Sequence, residues 1–173
     1  MKPVDYKKAA AYWVERDKEE GRMAKADVQA AILKYVKDNN TLALAVCLDN
    51  VPHVTPLEYF FYEKDKCFYI FSEGGAKFQY LEQNKNVAFT IYNGYSGFNA
   101  VQSLQVEGTA DVLDYWSDEY VDVFTAKGLN AEKLKSKGIE MNLIKIVPTS
   151  YTYLNSSYRK DGLNTIQKVD SLD

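Results

Sequence analysis

The sequence predicts a small antiparallel β-barrel with helices at its periphery. Three observations carry that prediction. Aromatic residues make up 14% of the 173-residue chain, with 14 Tyr and 8 Phe, and aromatic side chains favour strands. Six apolar runs of strand length follow residue 40. The turns between them suit hairpins and are too short for parallel crossovers, except between the third and fourth. Helical spacing of apolar residues is confined to residues 1–40 and to short segments between later strands. One domain of this length can bury a core.

The elements follow in order. Asp5 to Glu20 reads as a helix with Tyr6, Ala9, Ala10, Trp13 and Val14 on one face, stopped by Gly21. A second helix, from about Ala26 to Lys37, places Val28, Ile32, Tyr35 and Val36 together and ends at Asn39-Asn40. Thr41 to Leu48 is a strand, and Asp49-Asn50 is a turn. Val51 to Tyr62 is extended, but Pro52 and Pro56 cannot donate ladder bonds, so this strand is expected to be bent or at an edge. Cys67 to Ser72 is the third strand, followed by a short helix and a strand ending at Tyr92. The loop Asn93 to Asn99 leads to a strand from about Val101 to Leu113, with Gly108 as a bulge or bend. Ser117 to Lys127 and Ala131 to Lys137 are short helices, and Asn142 to Tyr153 is a last strand interrupted at Pro148. The chain thus divides into helices packed on the barrel (1–40), the barrel (41–155) and a polar, loosely held tail (156–173).

Composition narrows the function. Net charge is −3 with no basic stripe, which argues against nucleic acid. Cys47 and Cys67 each sit in an apolar run, where a buried free thiol is the usual state. No CxxC pair or His/Cys cluster is present, so no metal is expected. No apolar run reaches the length of a membrane span, and the N-terminus lacks the apolar core of a signal peptide. A cytoplasmic location is the expectation, with no membrane partner.

One stretch carries chemistry. "FSEGGAKFQY" runs from a strand through Gly74-Gly75 and a lysine into a helix. Such glycines let backbone approach a ligand, Ser72 adds a hydroxyl and Lys77 a charge. Together they suit a phosphate. The bland alternative is a tight turn, and the spacing is not the Walker pattern. His53, the one histidine, reads as a half-buried strand residue without a catalytic role, because a triad also needs a placed nucleophile and orienter. Glu58 and Glu107 could meet across a barrel, but the simpler reading is two solvated charges. Tyr92, Tyr95 and Phe98 line either a substrate pocket or a dimer contact.

The order of "VPHVTPLEYFF", "CFYIFSEGGAKFQYLEQNKNVAFTIY" and "LQVEGTADVL" resembles the pyridoxamine 5'-phosphate oxidase-like flavoproteins, the FMN-binding split-barrel superfamily. The likeness covers about Thr41 to Asp114, with support from Ile144 to Tyr153. It implies a six-stranded antiparallel split barrel and a homodimer with FMN at its interface. It places the flavin-contacting strand on His53, Val54, Thr55 and Pro56, and the strand-end aromatic and hydroxyl on Phe71 and Ser72. The phosphate-binding lysine falls on Lys77, with backbone N–H groups near Gly75 and Ala76. The family often has an arginine where this chain has Ala76, which leaves the phosphate one cation fewer. Ser103 carries the polar position of the fifth strand, with Gln105 on the same face.

The likeness implies an FMN-dependent oxidoreductase acting on a small molecule, with no catalytic residue assigned. The alternatives are a flavin store or sensor without turnover, or a split-barrel protein using haem or a deazaflavin. The oxidase proper grips its substrate with a C-terminal Arg-x-His pair. This tail has Arg159 and no histidine, so pyridoxamine phosphate oxidation itself is not expected.

Overall fold

The computed structural model describes residues 5–8, 11–12 and 21–173. Of the first expected helix, residues 6–8 and 11–12 are helical, and Ala9, Ala10, Trp13 and Val14 lie outside the described residues. Helix α1 (Lys25–Asp38) buries Val28, Ile32, Tyr35 and Val36, the apolar stripe read from the sequence. The strands are β1 (Thr41–Leu48), β2 (Val51–Glu58), β3 (Phe60–Tyr62), β4 (Cys67–Ser72), β5 (Asn86–Tyr92), β6 (Gln102–Val112), β7 (Asn142–Asn155) and β8 (Ile166–Val169). Helix α2 (Lys77–Gln83) separates β4 from β5, and α3 (Asp118–Ala126) and α4 (Ala131–Ser136) separate β6 from β7.

All pairings are antiparallel, in the order β2-β1-β5-β6-β7-β4-β3, with β8 added to β7. This is the expected split barrel, with eight strands rather than six. One extra strand comes from Val51–Tyr62, which is not continuous. Its halves lie at opposite edges of the sheet, β2 on β1 and β3 on β4. Chain continuity through Tyr59 therefore joins edges that hydrogen bonds leave open. The Tyr59 N–H donates to the Asn40 carbonyl at 2.9 Å. Its buried hydroxyl lies 2.7 Å from the Val36 carbonyl and 2.9 Å from the Asn39 carbonyl. One residue thus turns the corner and satisfies orphan carbonyls at the end of α1. Burial pushes its phenol above the ordinary tyrosine range.

The barrel interior holds Leu42, Leu44, Val46, Phe68, Ile70, Phe89, Ile91, Leu104, Val106 and Ile146, with Ile32 of α1 closing one end. A second cluster lies outside the barrel, where Tyr120, Val123 and Phe124 of α3 cover Cys67, Tyr69 and Leu143. Strand β4 is sandwiched between the two, which explains its unbroken apolar run. Both cysteines are free thiols; Cys67 is buried and Cys47 half-buried. Burial and the neighbouring Asp65 push the Cys67 thiol up to about 11.

Strand β7 is not interrupted at Pro148. It runs to Asn155, and the register shifts between Glu107 and Gly108 so that Thr149 is the extra residue on β7. Gly108 is required there: a Cβ would lie 2.4 Å from the Val147 carbonyl oxygen. Glu58 and Glu107 do not meet; Glu58 pairs with Lys127 at 2.7 Å, and Glu107 accepts from Ser150 at 3.2 Å.

The tail is not loose. Strand β8 pairs with Tyr151 to Leu154 of β7, and Val169 and Leu172 are buried. Gln167 is 1% exposed, yet its amide is satisfied. Its Nε2 donates to the carbonyls of Gly21 (3.0 Å) and Asn164 (2.8 Å), and its Oε1 accepts from Met23 N–H (3.1 Å). The polar composition of this segment is compatible with order because its polar groups are buried but paired.

Candidate functional site

The turn after β4 gathers two donors on one carbonyl. Ser72 Oγ donates to the Gly74 oxygen at 3.1 Å, and the Lys77 ammonium donates to the same atom. Lys77 is 4% exposed. Among the described residues no carboxylate pairs with it, and its ammonium lies 5.0 Å from the Phe78 ring centre. A buried cation normally has a counter-charge. Burial therefore lowers the Lys77 pKa. Gly75 has φ +114°, a conformation open to glycine, and a Cβ there would stand 3.3 Å from Lys77 Nζ. The missing side chain keeps that side of the ammonium clear. These residues fit a phosphate: a desolvated cation, a hydroxyl and a backbone free to approach.

Strand β2 lies beside this turn through α2. His53 stacks on Tyr80 of α2, with ring centres 5.5 Å apart, and shares a hydrogen bond of 3.2 Å with Thr55 Oγ1. Tyr80 was missed in the sequence, although it sits three residues after Lys77 on the same helix face. His53 and Thr55 point to the side of the buried Val46 and Leu44, their cross-strand partners. Val54 and Pro56 point outwards and are exposed. Pro52 and Pro56 have no N–H to give β1, so residues 52, 54 and 56 turn their backbone to the free edge. Among the described residues, Val54 then presents the one N–H of that central stretch at this edge, beside the carbonyls of residues 52, 54 and 56. This edge can hydrogen-bond a flat heterocycle.

Other expected site residues stand apart. The Phe71 ring packs edge-on against Phe124 of α3 at 4.9 Å and belongs to the second cluster; only its backbone borders the turn. Ser103 and Gln105 are on the outer face of β6, three strands from β2, a separation of about 14 Å. The residues thus form a turn around a buried lysine, a strand edge and a distant polar pair.

A second polar cavity, of about 420 Å³, lies under α3 and is lined by Tyr62, Lys64, Asp65, Tyr69, Glu119 and Lys145 among others. Its groups satisfy one another. The Tyr69 hydroxyl lies between Asp65 Oδ2 and Glu119 Oε1, and Lys145 donates to Glu119. Nothing in the sequence spacing signals it. Among the described residues no group of three His, Cys, Asp or Glu could hold a metal, and no helix is long and apolar enough to cross a membrane.

Comparison with known proteins agrees with this architecture. Residues 28–155 match the family model of pyridoxamine 5'-phosphate oxidase. The chain belongs to that family. No curated protein matches it. A FAD-binding protein of Mesorhizobium loti has the same fold, with TM-score 0.56 and 20% identity over 72% of this chain and 90% of that one. The haem storage protein of Vibrio cholerae is similar at TM-score 0.55 and 17% identity, over 69% and 88%. A putative pyridoxamine 5'-phosphate oxidase of Listeria innocua is similar at 0.55 and 18%, over 74% and 98%.

Proposed function

We propose that the chain is an FMN-binding flavoprotein and a homodimer, serving as an oxidoreductase for a small organic molecule. The observation that carries this reading is Lys77, a cation at 4% exposure with no carboxylate partner among the described residues. Lys77, Ser72 and the backbone at Gly75 and Ala76 hold the phosphate. The free edge of β2 from His53 to Pro56 holds the isoalloxazine rim, with backbone groups near Val54 as hydrogen-bond partners. The backbone at Phe71 borders the phosphate turn. Ser103 and Gln105 reach a flavin only across the dimer, so they serve the site of the other copy. The flavin supplies the electron transfer; the protein supplies binding, orientation and exclusion of water.

The family's named reaction is not the one proposed. Residues 156–173 hold no Arg-x-His pair, and this segment is engaged in a structural clasp. Asp173 pairs with Lys25 at 2.9 Å, and the Ser171 carbonyl accepts from Gln29 at 3.0 Å. A haem reading is weaker, because the ring of the one histidine is stacked on Tyr80 and hydrogen-bonded to Thr55.

The purified protein is expected to be yellow, with an FMN-like absorption spectrum and a flavin released on denaturation. Reduction by NADH or NADPH followed by reoxidation supports an oxidoreductase over a store. A colourless protein that takes up no added FMN contradicts the reading.

A further inference from the structure

The turn that holds Lys77 is exposed at residues 73–76, and most of its hydrogen bonds are local. The Gly74 carbonyl accepts from its neighbours Ser72 and Lys77, and the Gly75 carbonyl accepts from Phe78 N–H at 3.3 Å. Among the described residues, the side chain that ties this turn to another element is Asn142, the first residue of β7 and the cross-strand partner of Ser72. Its Nδ2 donates to the Glu73 carbonyl at 3.2 Å, and its Oδ1 accepts from the Tyr115 hydroxyl at 2.7 Å. A carbonyl can only accept, so Glu73 dictates which end of the amide faces it, and the hydroxyl donates to the other end. Asn142 is thereby held from both sides.

Tyr115 is placed in turn by the corner between β6 and α3. There, Leu113 N–H donates to the Leu143 carbonyl at 2.9 Å, and the Tyr120 hydroxyl donates to the Met141 carbonyl at 2.9 Å. Met141, Asn142 and Leu143 are thus all gripped by one corner. Trp116 has φ +66°, a conformation that bulky residues rarely adopt. Its ring packs edge-on against Tyr120 at 5.4 Å and faces the Lys135 ammonium at 5.5 Å. So costly a backbone persists only where its surroundings over-determine it.

We propose that Asn142, oriented by Tyr115, is a positioning residue for the phosphate turn. The inference rests on the phosphate reading of Lys77 above. The peptide joining Glu73 to Gly74 is trans and planar, so its carbonyl and the Gly74 N–H point in opposite directions. Holding the carbonyl to Asn142 therefore turns the Gly74 N–H away from β7, and among the described residues that N–H meets no acceptor. The next carbonyl along, that of Gly74, is the one that Ser72 and Lys77 grip. Asn142 thus fixes the peptide from which the backbone donor and the lysine take their directions. Two glycines leave this stretch many other conformations. Without the anchor the turn keeps its residues and loses its order, and restoring order on binding costs affinity.

The test titrates FMN and riboflavin into wild type, Asn142→Leu, Tyr115→Phe and the double variant. Asn142→Leu keeps the branched outline of the side chain and loses both bonds. It is expected to weaken FMN by about three- to tenfold, as for one lost hydrogen bond, and to leave riboflavin near wild type. Tyr115→Phe takes one hydroxyl from an exposed ring and should weaken FMN by about two- to threefold. In the Asn142→Leu background it should add nothing, because the two residues act in series. Equal losses for both flavins, or additive losses in the double variant, overturn the proposal. If Asn142→Leu does not fold, Tyr115→Phe decides alone: an FMN-selective loss supports the proposal and an unchanged preference overturns it. A second readout is the amide nuclear Overhauser effect of Gly74 and Gly75 in flavin-free protein, which should fall in the variants and hold in the barrel strands. A wild type that prefers FMN, beside an Asn142→Leu that keeps the full preference, ends this inference alone. A wild type without that preference ends the phosphate reading. The amide measurement then decides the rest: a loosened turn keeps Asn142 as its anchor, and an unchanged turn overturns that too.

Discussion

Lys77 and Lys145 are both lysines drawn largely out of water, and their surroundings are opposite. Lys145, with its side chain 23% exposed, donates to Glu119 and lies 3.9 Å from Asp65, and the Tyr69 hydroxyl bridges those two carboxylates. Burial pulls its pKa down, but the hydrogen bond to Glu119 and the nearby acids more than offset this, so it ends above the ordinary lysine value. Lys77 has the Gly74 carbonyl and the Phe78 ring but, among the described residues, no carboxylate, and burial leaves its pKa below the ordinary value. A satisfied charge in a polar cavity is structure; a charge kept buried without its counter-charge is what motivates the proposed anion site. The polar cavity around Lys145 is therefore not the better candidate site.

The largest expected effect comes from Lys77→Met, which keeps the packed stem and removes the charge. FMN affinity should fall by about ten- to a hundredfold, the worth of a charge-assisted contact of roughly 1.5–3 kcal/mol. The melting temperature of the flavin-free protein should hold or rise, since a desolvated charge is gone. A fall of several degrees would place Lys77 in the same class as Lys145.

Gly75→Ala should act on both counts. Forcing an alanine to φ +114° costs about 1–3 kcal/mol, and the methyl group crowds Nζ. Both thermal stability and FMN affinity should drop; an unchanged FMN titration would mean that the glycine serves the turn alone. Lys145→Met should cost about 1 kcal/mol, because the pair is partly solvated. That is a few degrees in melting temperature, with FMN binding untouched. Loss of flavin from this variant would blur the contrast.

The smallest effect is one of sign. Lys77 has a folded pKa below 10.5, so the unfolded chain binds more protons there and stability rises as pH climbs towards 10.5. Lys145 has a folded pKa above 10.5; its contribution is fully present below 10.5 and is lost as pH rises through the folded value. Subtracting the melting curves of the two Met variants from wild type should give slopes of opposite sign. Parallel slopes would contradict the assignment.

How much of this was legible follows from the range of each contact. Ser72, Gly75 and Lys77 lie within six residues, so their chemistry shows in the sequence. Pro52 and Pro56 placed β2 at an edge because a missing N–H is a local fact. The corner at Tyr59 was not legible, since its hydroxyl answers carbonyls of another element. Nor was the Lys145 network, whose members come from a turn, β4, α3 and β7. The clasp of Gln167 on Gly21 joins residues 146 apart in the sequence, and no local pattern announces it. Ser103 and Gln105 were legible as a polar pair, but their distance from β2 emerged only from the strand order.

The central claim is that Lys77 is held for a phosphate. It is tested most directly by titrating FMN and riboflavin, which differ only in that group, into wild-type and Lys77→Met protein and following flavin fluorescence. Wild type should prefer FMN by about ten- to a hundredfold, and the variant should lose most of that preference while its riboflavin affinity stays near wild type. A variant that still prefers FMN as strongly as wild type would contradict the claim.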